Sequence, residues 1–243
     1  MAVADLSRAR VLVVGVGGLG CPAAMALARA GVGTIGLADD DVVEATNLHR
    51  QILFTEADVG APKIDVAARA LERLAPGLRV ERHATRLLPP NAVDLASRYD
   101  VVVEGSDNFP TKFLAADACR LAERPVVHGA ALRWNGTALA VGPRGGPCYR
   151  CLFEDVPDGD APSCADAGVV GPVVGVVAAA QADFALALLA GEGVAGTLFT
   201  FDGLRLAARR RRIAARAGCP LCGHDRTIQD VDAARYAPVT CDL

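Results

Sequence analysis

Apolar runs of strand length alternate with segments of helical period through the first half of this chain. "RVLVVG" precedes "CPAAMALARAG", "TIGLAD" precedes "PKIDVAARALERLAP", "LRVERH" precedes "PNAVDLASRY", and "DVVVEG" precedes "TKFLAADACRLAER" and "PVVHGA". Two interleaved periods of this kind restrict the fold to βαβ units around a mostly parallel sheet. From Ala130 the pattern changes. "ALRWNGTALAVGP" sets Asn-Gly between two strand-like runs and implies a hairpin, and "GTLFTFDGLRLAARRRRI" reads as two closing strands of an antiparallel extension. The Pro- and Asp-rich stretch from Glu154 to Asp166 reads as a loop, and the tail after Cys222 as loosely held. No repeat or long linker interrupts the 243 residues, so a single domain over 1–243 is expected, with halves of about 8–130 and 131–225 and a short tail, 226–243.

"GPVVGVVAAAQADFALALLAG" is long enough to span a bilayer, but Gln181 and Asp183 stand in its middle. Charge at mid-membrane is costly, so the segment reads as a buried or subunit-interface helix and no membrane partner is expected. "MAVADLSRAR" has neither the apolar core nor the cleavage pattern of a signal peptide, which points to the cytoplasm. A formal charge of −3 offers no electrostatic footprint for nucleic acid.

The first strand runs into G-x-G-x-x-G at Gly15, Gly17 and Gly20 and then a helix. Glycines let the backbone approach a phosphate, and the helix N-terminus presents unpaired N–H groups to it, so an anionic nucleotide on a Rossmann-like fold is expected. Asp39 closes the second strand, where a carboxylate accepts from ribose hydroxyls. These features alone fit an NAD-dependent oxidoreductase as well as other nucleotide binders.

Asp41, Asn47, Arg50, Lys63 and Asp107 weigh against a dinucleotide. A pyrophosphate held by backbone needs no pair of cations with a further acid, whereas ATP with Mg²⁺ does: Arg and Lys neutralise phosphate oxygens, and a carboxylate holds the hard ion. No G-K-[ST] loop is present, so P-loop phosphoryl transfer is not implied. Cys148 and Cys151 in "CYRC", with Cys219 and Cys222 in "CPLC", have the spacing of a closed structural Zn²⁺ site. Redox pairing is the competing reading, and His224 is a weaker ligand candidate. Cys21, Cys119 and Cys241 read as core or tail thiols, and the arginines at 209–212 as a solvated strand face.

"GVGGLG", "LADDDVVEATNLHRQ", "DVGAPK" and "EGSDNFPTKF", followed by the two CxxC pairs, together resemble the HesA/MoeB/ThiF family of sulfur-carrier-protein adenylyltransferases, nearest to its MoeB branch. The resemblance runs from Arg10 to about Gly223. It implies ATP-dependent adenylation of the C-terminal Gly-Gly carboxylate of a ubiquitin-like sulfur carrier ahead of thiocarboxylate formation, in molybdopterin, thiamine or a specialised sulfur pathway. The first half then binds nucleotide, and the second binds the carrier and zinc. Position by position, it implies Gly18 against the phosphates, Asp39 on the ribose within a D-x-D shared with Asp41, and Asn47, Arg50 and Lys63 on the triphosphate. Asp107, with Asn108, would position Mg²⁺ near the α-phosphate, and Asp40 would be solvated. Cys164 corresponds to a position where some members link covalently to the carrier and others do not. The family usually works as a homodimer in which an arginine on an extra N-terminal helix reaches the partner subunit's ATP site. Arg8 and Arg10 lie too close to the first strand to substitute for it, which leaves that contact open. With no rhodanese-like segment in the chain, a separate sulfur donor is expected.

Overall fold

A computed structural model describes residues 5–156 and 168–236. Its frame is one eight-stranded sheet in the order β3-β2-β1-β4-β5-β6-β7-β8. The strands are β1 (Arg10–Val14), β2 (Thr34–Ala38), β3 (Arg79–His83), β4 (Val101–Glu104), β5 (Val126–Leu132), β6 (Asn135–Val141), β7 (Thr197–Asp202) and β8 (Ala207–Arg212). The first five pair in parallel and the last three antiparallel. The α-helices among the described residues are α1 (Gly20–Arg29), α2 (Lys63–Leu74), α3 (Ala92–Ser97), α4 (Phe109–Leu121), the short α5 (Tyr149–Leu152) and α6 (Gly171–Leu189).

Strand periodicity divides the core into two layers. Val11 and Val13 face α1, α2 and α6, packing with Leu27, Leu71 and Phe184. Leu12 and Val14 point the opposite way, toward Leu95 of α3 and Phe113 of α4. A parallel sheet covered on both faces explains why β1, β2 and β4 are buried almost throughout and largely apolar instead of alternating.

The apolar segment is a core helix. α6 has the length and composition of a membrane span, but Val173, Val174, Val177 and Phe184 are buried against the sheet and α1. Its central Gln181 is fully buried and donates to Glu104 O at 2.8 Å and Val127 O at 3.3 Å. The polar residue that argued against a membrane therefore ties the helix to two strands.

Two expectations are corrected. β5 and β6 form the expected hairpin, but its turn is Arg133–Trp134, since Asn135 pairs with Leu132 and Gly136 with Ala131 inside the ladder. Gly136 is needed within the strand: a Cβ there would lie 2.2 Å from Val177 Cγ2 of α6. The tail is also not loose as far as Tyr236. Ile228 and Tyr236 are buried, the Thr227 and Ile228 N–H groups donate to Pro220 O, and the Tyr236 hydroxyl donates to buried Asp117 at 2.8 Å.

Candidate functional site

The strand order reverses between β1 and β4, and the loops leaving the C-terminal ends of those strands meet there, at the place where open α/β sheets bind ligands. Gly15 has φ +82 and a Cβ on it would approach Ser106 N to 3.2 Å, so the glycine turn lies directly on the loop after β4. Gly20 has a different reason to be glycine: a Cβ there would lie 1.9 Å from Gly15 O. α1 begins with no side-chain cap and no acid in its first turn, which leaves its N-terminal dipole available to an anion.

The acids and cations ring this turn. Asp39 Oδ2 accepts from Val16 N at 2.7 Å and its Oδ1 from Asp41 N at 2.8 Å. Burial raises its pKa, outweighing the Asp41 N–H and the Lys63 charge. Asp41 has the opposite balance. Burial pushes its pKa up, but the hydrogen bond and charge of Lys63, joined by Arg86, hold it below the usual range. Lys63, the first residue of α2, is 5% exposed and places Nζ 2.9 Å from Asp41 Oδ2, while its own N–H donates to Asp41 O. Asp40 is not merely solvated as expected, because Arg86 Nε donates to it at 2.7 Å. Arg86 follows β3 and carries no motif that would reveal it in the sequence.

The segment "NLHRQ" covers the other side. A Cβ on Gly18 would meet Arg50 Cδ at 3.3 Å, so the arginine stem lies against the glycine turn. The Arg50 guanidinium contacts His49 Nε2 at 3.3 Å and forms no ion pair with any described residue. Gln51, which the sequence reading passed over, is 3% exposed, comes within 3.6 Å of a Gly17 Cβ, and leaves Oε1 without a partner among the described residues. Asn47 sits in the same turn, but its amide donates to Glu44 at 2.9 Å.

Beyond Ser106, Asp107 is exposed and its carboxylate makes no hydrogen bond to a described residue. Asn108 caps α4, its Oδ1 accepting from Thr111 N at 2.9 Å. Beneath them lies a buried group whose role the motif "EGSDNFPTKF" did not reveal. Glu104, fully buried at the end of β4, accepts from Lys112 Nζ at 2.9 Å, Ser106 N at 2.7 Å, the Ser106 hydroxyl and His128 Nδ1 at 3.3 Å. Burial works against its ionisation, yet Lys112, His128 and Ser106 together lower its pKa to about 2. Burial lowers the His128 pKa, and because an ionised carboxylate only accepts, Nδ1–H is the donor to Glu104.

The four cysteines converge beside α5, which packs against α4. Their sulfurs lie within 4.8 Å of one another, with Cys148–Cys219 at 3.5 Å, Cys151–Cys222 at 3.4 Å and Cys148–Cys151 at 3.9 Å. Tetrahedral Zn–S bonds of about 2.3 Å require sulfur separations of about 3.8 Å, so the set fits a closed site. Arg216 N donates to Cys151 Sγ at 3.4 Å, and exposed His224 stays outside the cluster. Arg150, between the first two cysteines, is buried and forms a forked pair with Asp117 at 2.8 and 2.9 Å.

Cys21 and Cys119 are core thiols: burial pushes Cys21 up to about 12 and raises Cys119 further. Of the β8 arginines, Arg210 pairs with Asp183 and Arg212 donates to the carbonyls of Gly193 and Ala195, while Arg209 and Arg211 are solvated. Cys164 and Cys241 lie outside the described residues.

Comparison with known proteins shows the fold and the family. E. coli MccB, solved with MccA-N7isoASN, shares the fold at a TM-score of 0.80 and 24% identity over 91% of this chain and 69% of that one. The sulfur carrier protein adenylyltransferase of Thermus thermophilus is 43% identical over 234 residues, 93% of this chain and 86% of the relative. Bos taurus adenylyltransferase and sulfurtransferase MOCS3 is 48% identical over 230 residues, and the chain spans 50% of that relative's length. The model of the ThiF family matches residues 2–221. A match that covers all eight strands and three of the four clustered cysteines leaves the dinucleotide oxidoreductase alternative without support, and the chain belongs to the ThiF family.

Proposed function

We propose that this protein is an adenylyltransferase that uses ATP to activate the C-terminal Gly-Gly carboxylate of a ubiquitin-like sulfur carrier, releasing pyrophosphate and preparing the carrier for thiocarboxylate formation. The observation that carries the reading is the meeting of an uncapped helix N-terminus with Arg50, which has no ion pair among the described residues, buried Lys63 and uncommitted Asp107 around one glycine turn. The names of the Thermus and MOCS3 relatives support it.

In this reading the turn and the α1 N-terminus receive the phosphates, and Asp39 turns its free lone pairs to the ribose. Arg50 and Lys63 neutralise the charge that develops as the carrier carboxylate attacks the α-phosphorus and pyrophosphate leaves. Asp107 would hold Mg²⁺, which supplies further charge neutralisation at the phosphates. No enzyme nucleophile is needed for this step, and Cys164 is assigned no part in it. The cysteine cluster would hold Zn²⁺ as a structural clasp, since four sulfurs leave no open coordination position. We assign the nucleotide to residues of about 8–130 and the carrier to about 131–225, in a cytoplasmic homodimer supplied by a separate sulfur donor.

The test is ATP–pyrophosphate exchange with a panel of small proteins ending in Gly-Gly. The reading expects exchange with at least one of them and none when its terminal Gly-Gly is deleted. Tight nucleotide binding without exchange by any carrier would instead indicate a non-catalytic scaffold.

A further inference from the structure

The turn Gly105–Ser106–Asp107–Asn108 joins β4 to α4, and every residue of it but Asp107 is fixed. Gly105 N donates to Val14 O at 2.9 Å, and Asn108 is committed to capping α4. Ser106 donates both its N–H and its hydroxyl to a single oxygen, Oε1 of Glu104. The other oxygen of Glu104 is taken by Lys112 and His128 from α4 and β5. Ser106 N also forms the floor under Gly15, so a shift at Ser106 moves both the glycine turn and the following carboxylate. A carboxylate this deep and this fully engaged sits outside the nucleotide's reach, yet it sets the backbone from which Asp107 projects.

We propose that Glu104 and Ser106 are positioning residues, a buried acid and a hydroxyl clamp that hold the Asp107 turn in register with the glycine turn for the metal–nucleotide complex. The inference rests on the proposed ATP site and goes beyond it by assigning work to residues that touch no substrate. Their interaction acts through metal affinity: a turn free to rotate presents the Asp107 carboxylate to the ion only part of the time.

The experiment compares wild-type protein with Ser106→Ala, Ser106→Thr and Asp107→Ala, reading Mn²⁺·ATP binding by water-proton relaxation and, separately, carrier-dependent exchange. Loss of the one hydroxyl donor should weaken Mn²⁺·ATP binding about three- to ten-fold. Ser106→Thr should restore it, and Ser106→Ala should lower the thermal midpoint only modestly, since buried Glu104 loses one of its four donors. A fold-only role would lower the midpoint and leave the metal–nucleotide affinity alone. Wild-type affinity in Ser106→Ala overturns the proposal. Wild-type protein that binds no Mn²⁺·ATP overturns it together with the site beneath it. If binding follows the expected order while no carrier supports exchange, the positioning role stands and the carrier reading fails.

Discussion

Lys63 Nζ lies 2.9 Å from Asp41 Oδ2, although the lysine is 5% exposed and the aspartate sits at the open edge of the site. Arg86 approaches the other Asp41 oxygen at 3.2 Å, so the acid keeps a cation if Lys63 turns toward an incoming phosphate. Lys63→Met should lower carrier-dependent exchange by about a hundred-fold or more, the scale set by removing one well-aimed donor from a charge-developing site. Lys63→Arg should not restore it, because a planar fork does not reproduce a buried ammonium. Arg86→Ala, at an exposed position, should change stability by less than about 1 kcal/mol. Exchange within a few-fold of wild type in Lys63→Met would remove this lysine from the chemistry.

Acid should unfold the protein through Glu104. Its folded-state pKa is depressed to about 2 from an ordinary 4.5, so its contribution is fully present above the unfolded value and fades as pH falls between the two. Denaturant titrations across that window should show stability declining as pH drops, by on the order of a few kcal/mol from this group. The decline should be shallower in a Glu104→Gln/Lys112→Met protein, which lacks both charges. An identical decline in that double variant would locate the acid sensitivity elsewhere.

Much of this molecule was legible before its structure, for reasons that differ between residues. The βαβ alternation and the glycine turn are local patterns, and local patterns specify β1 to β5 and α1 directly. The cysteine spacing worked because four thiols in two pairs have few structural uses. What stayed hidden depends on contacts between distant segments. Glu104, Lys112 and His128 become a network only when β4, α4 and β5 are side by side, and Arg86 meets Asp40 only across the sheet edge. Asn-Gly misled for a related reason: Gly136 is required inside the strand, where a Cβ would meet Val177 of a distant helix, and the turn lies at Arg133–Trp134. The order of Tyr236 likewise depends on Asp117, far back in α4.

Gly20→Ala should be destabilising even though alanine favours helices, because its methyl would collide with Gly15 O. Forcing an added carbon into such a contact costs about 1–3 kcal/mol. The collision also pushes on the glycine turn, so ATP affinity should fall in the variant fraction that remains folded. Equilibrium denaturation and nucleotide titration on the same preparation check both. A Gly20→Ala protein more stable than wild type would show that the turn yields easily.

The cysteine cluster should carry one tightly held zinc per chain, measurable by elemental analysis of the purified protein. Removing it with a strong chelator should lower the thermal midpoint, since the cluster joins α5 to the segment after β8 across 71 residues of chain. Cys219→Ser should have the same effect, whereas His224→Ala should leave both metal content and midpoint unchanged, as the imidazole lies outside the sulfur set. Full metal content in Cys219→Ser would contradict the four-sulfur assignment.

The last prediction concerns the side chain that stands between the first two cysteines in sequence. Arg150 is 2% exposed, forks onto Asp117 and stacks its guanidinium 4.7 Å from the Phe113 ring centroid, while Tyr236 donates to the same carboxylate. Truncating one partner of a buried pair leaves the other charge stranded, so Arg150→Ala should cost about 3–5 kcal/mol. Tyr236→Phe, which removes one hydrogen bond and leaves the ring packed, should cost about 1 kcal/mol. Replacing both members of the pair, Arg150→Met with Asp117→Leu, should cost far less than the sum of the single changes, because no uncompensated charge remains. Additive losses in that cycle would mean that the two side chains stabilise the fold independently, and that the cysteine knuckle is not fastened to α4 through their mutual attraction.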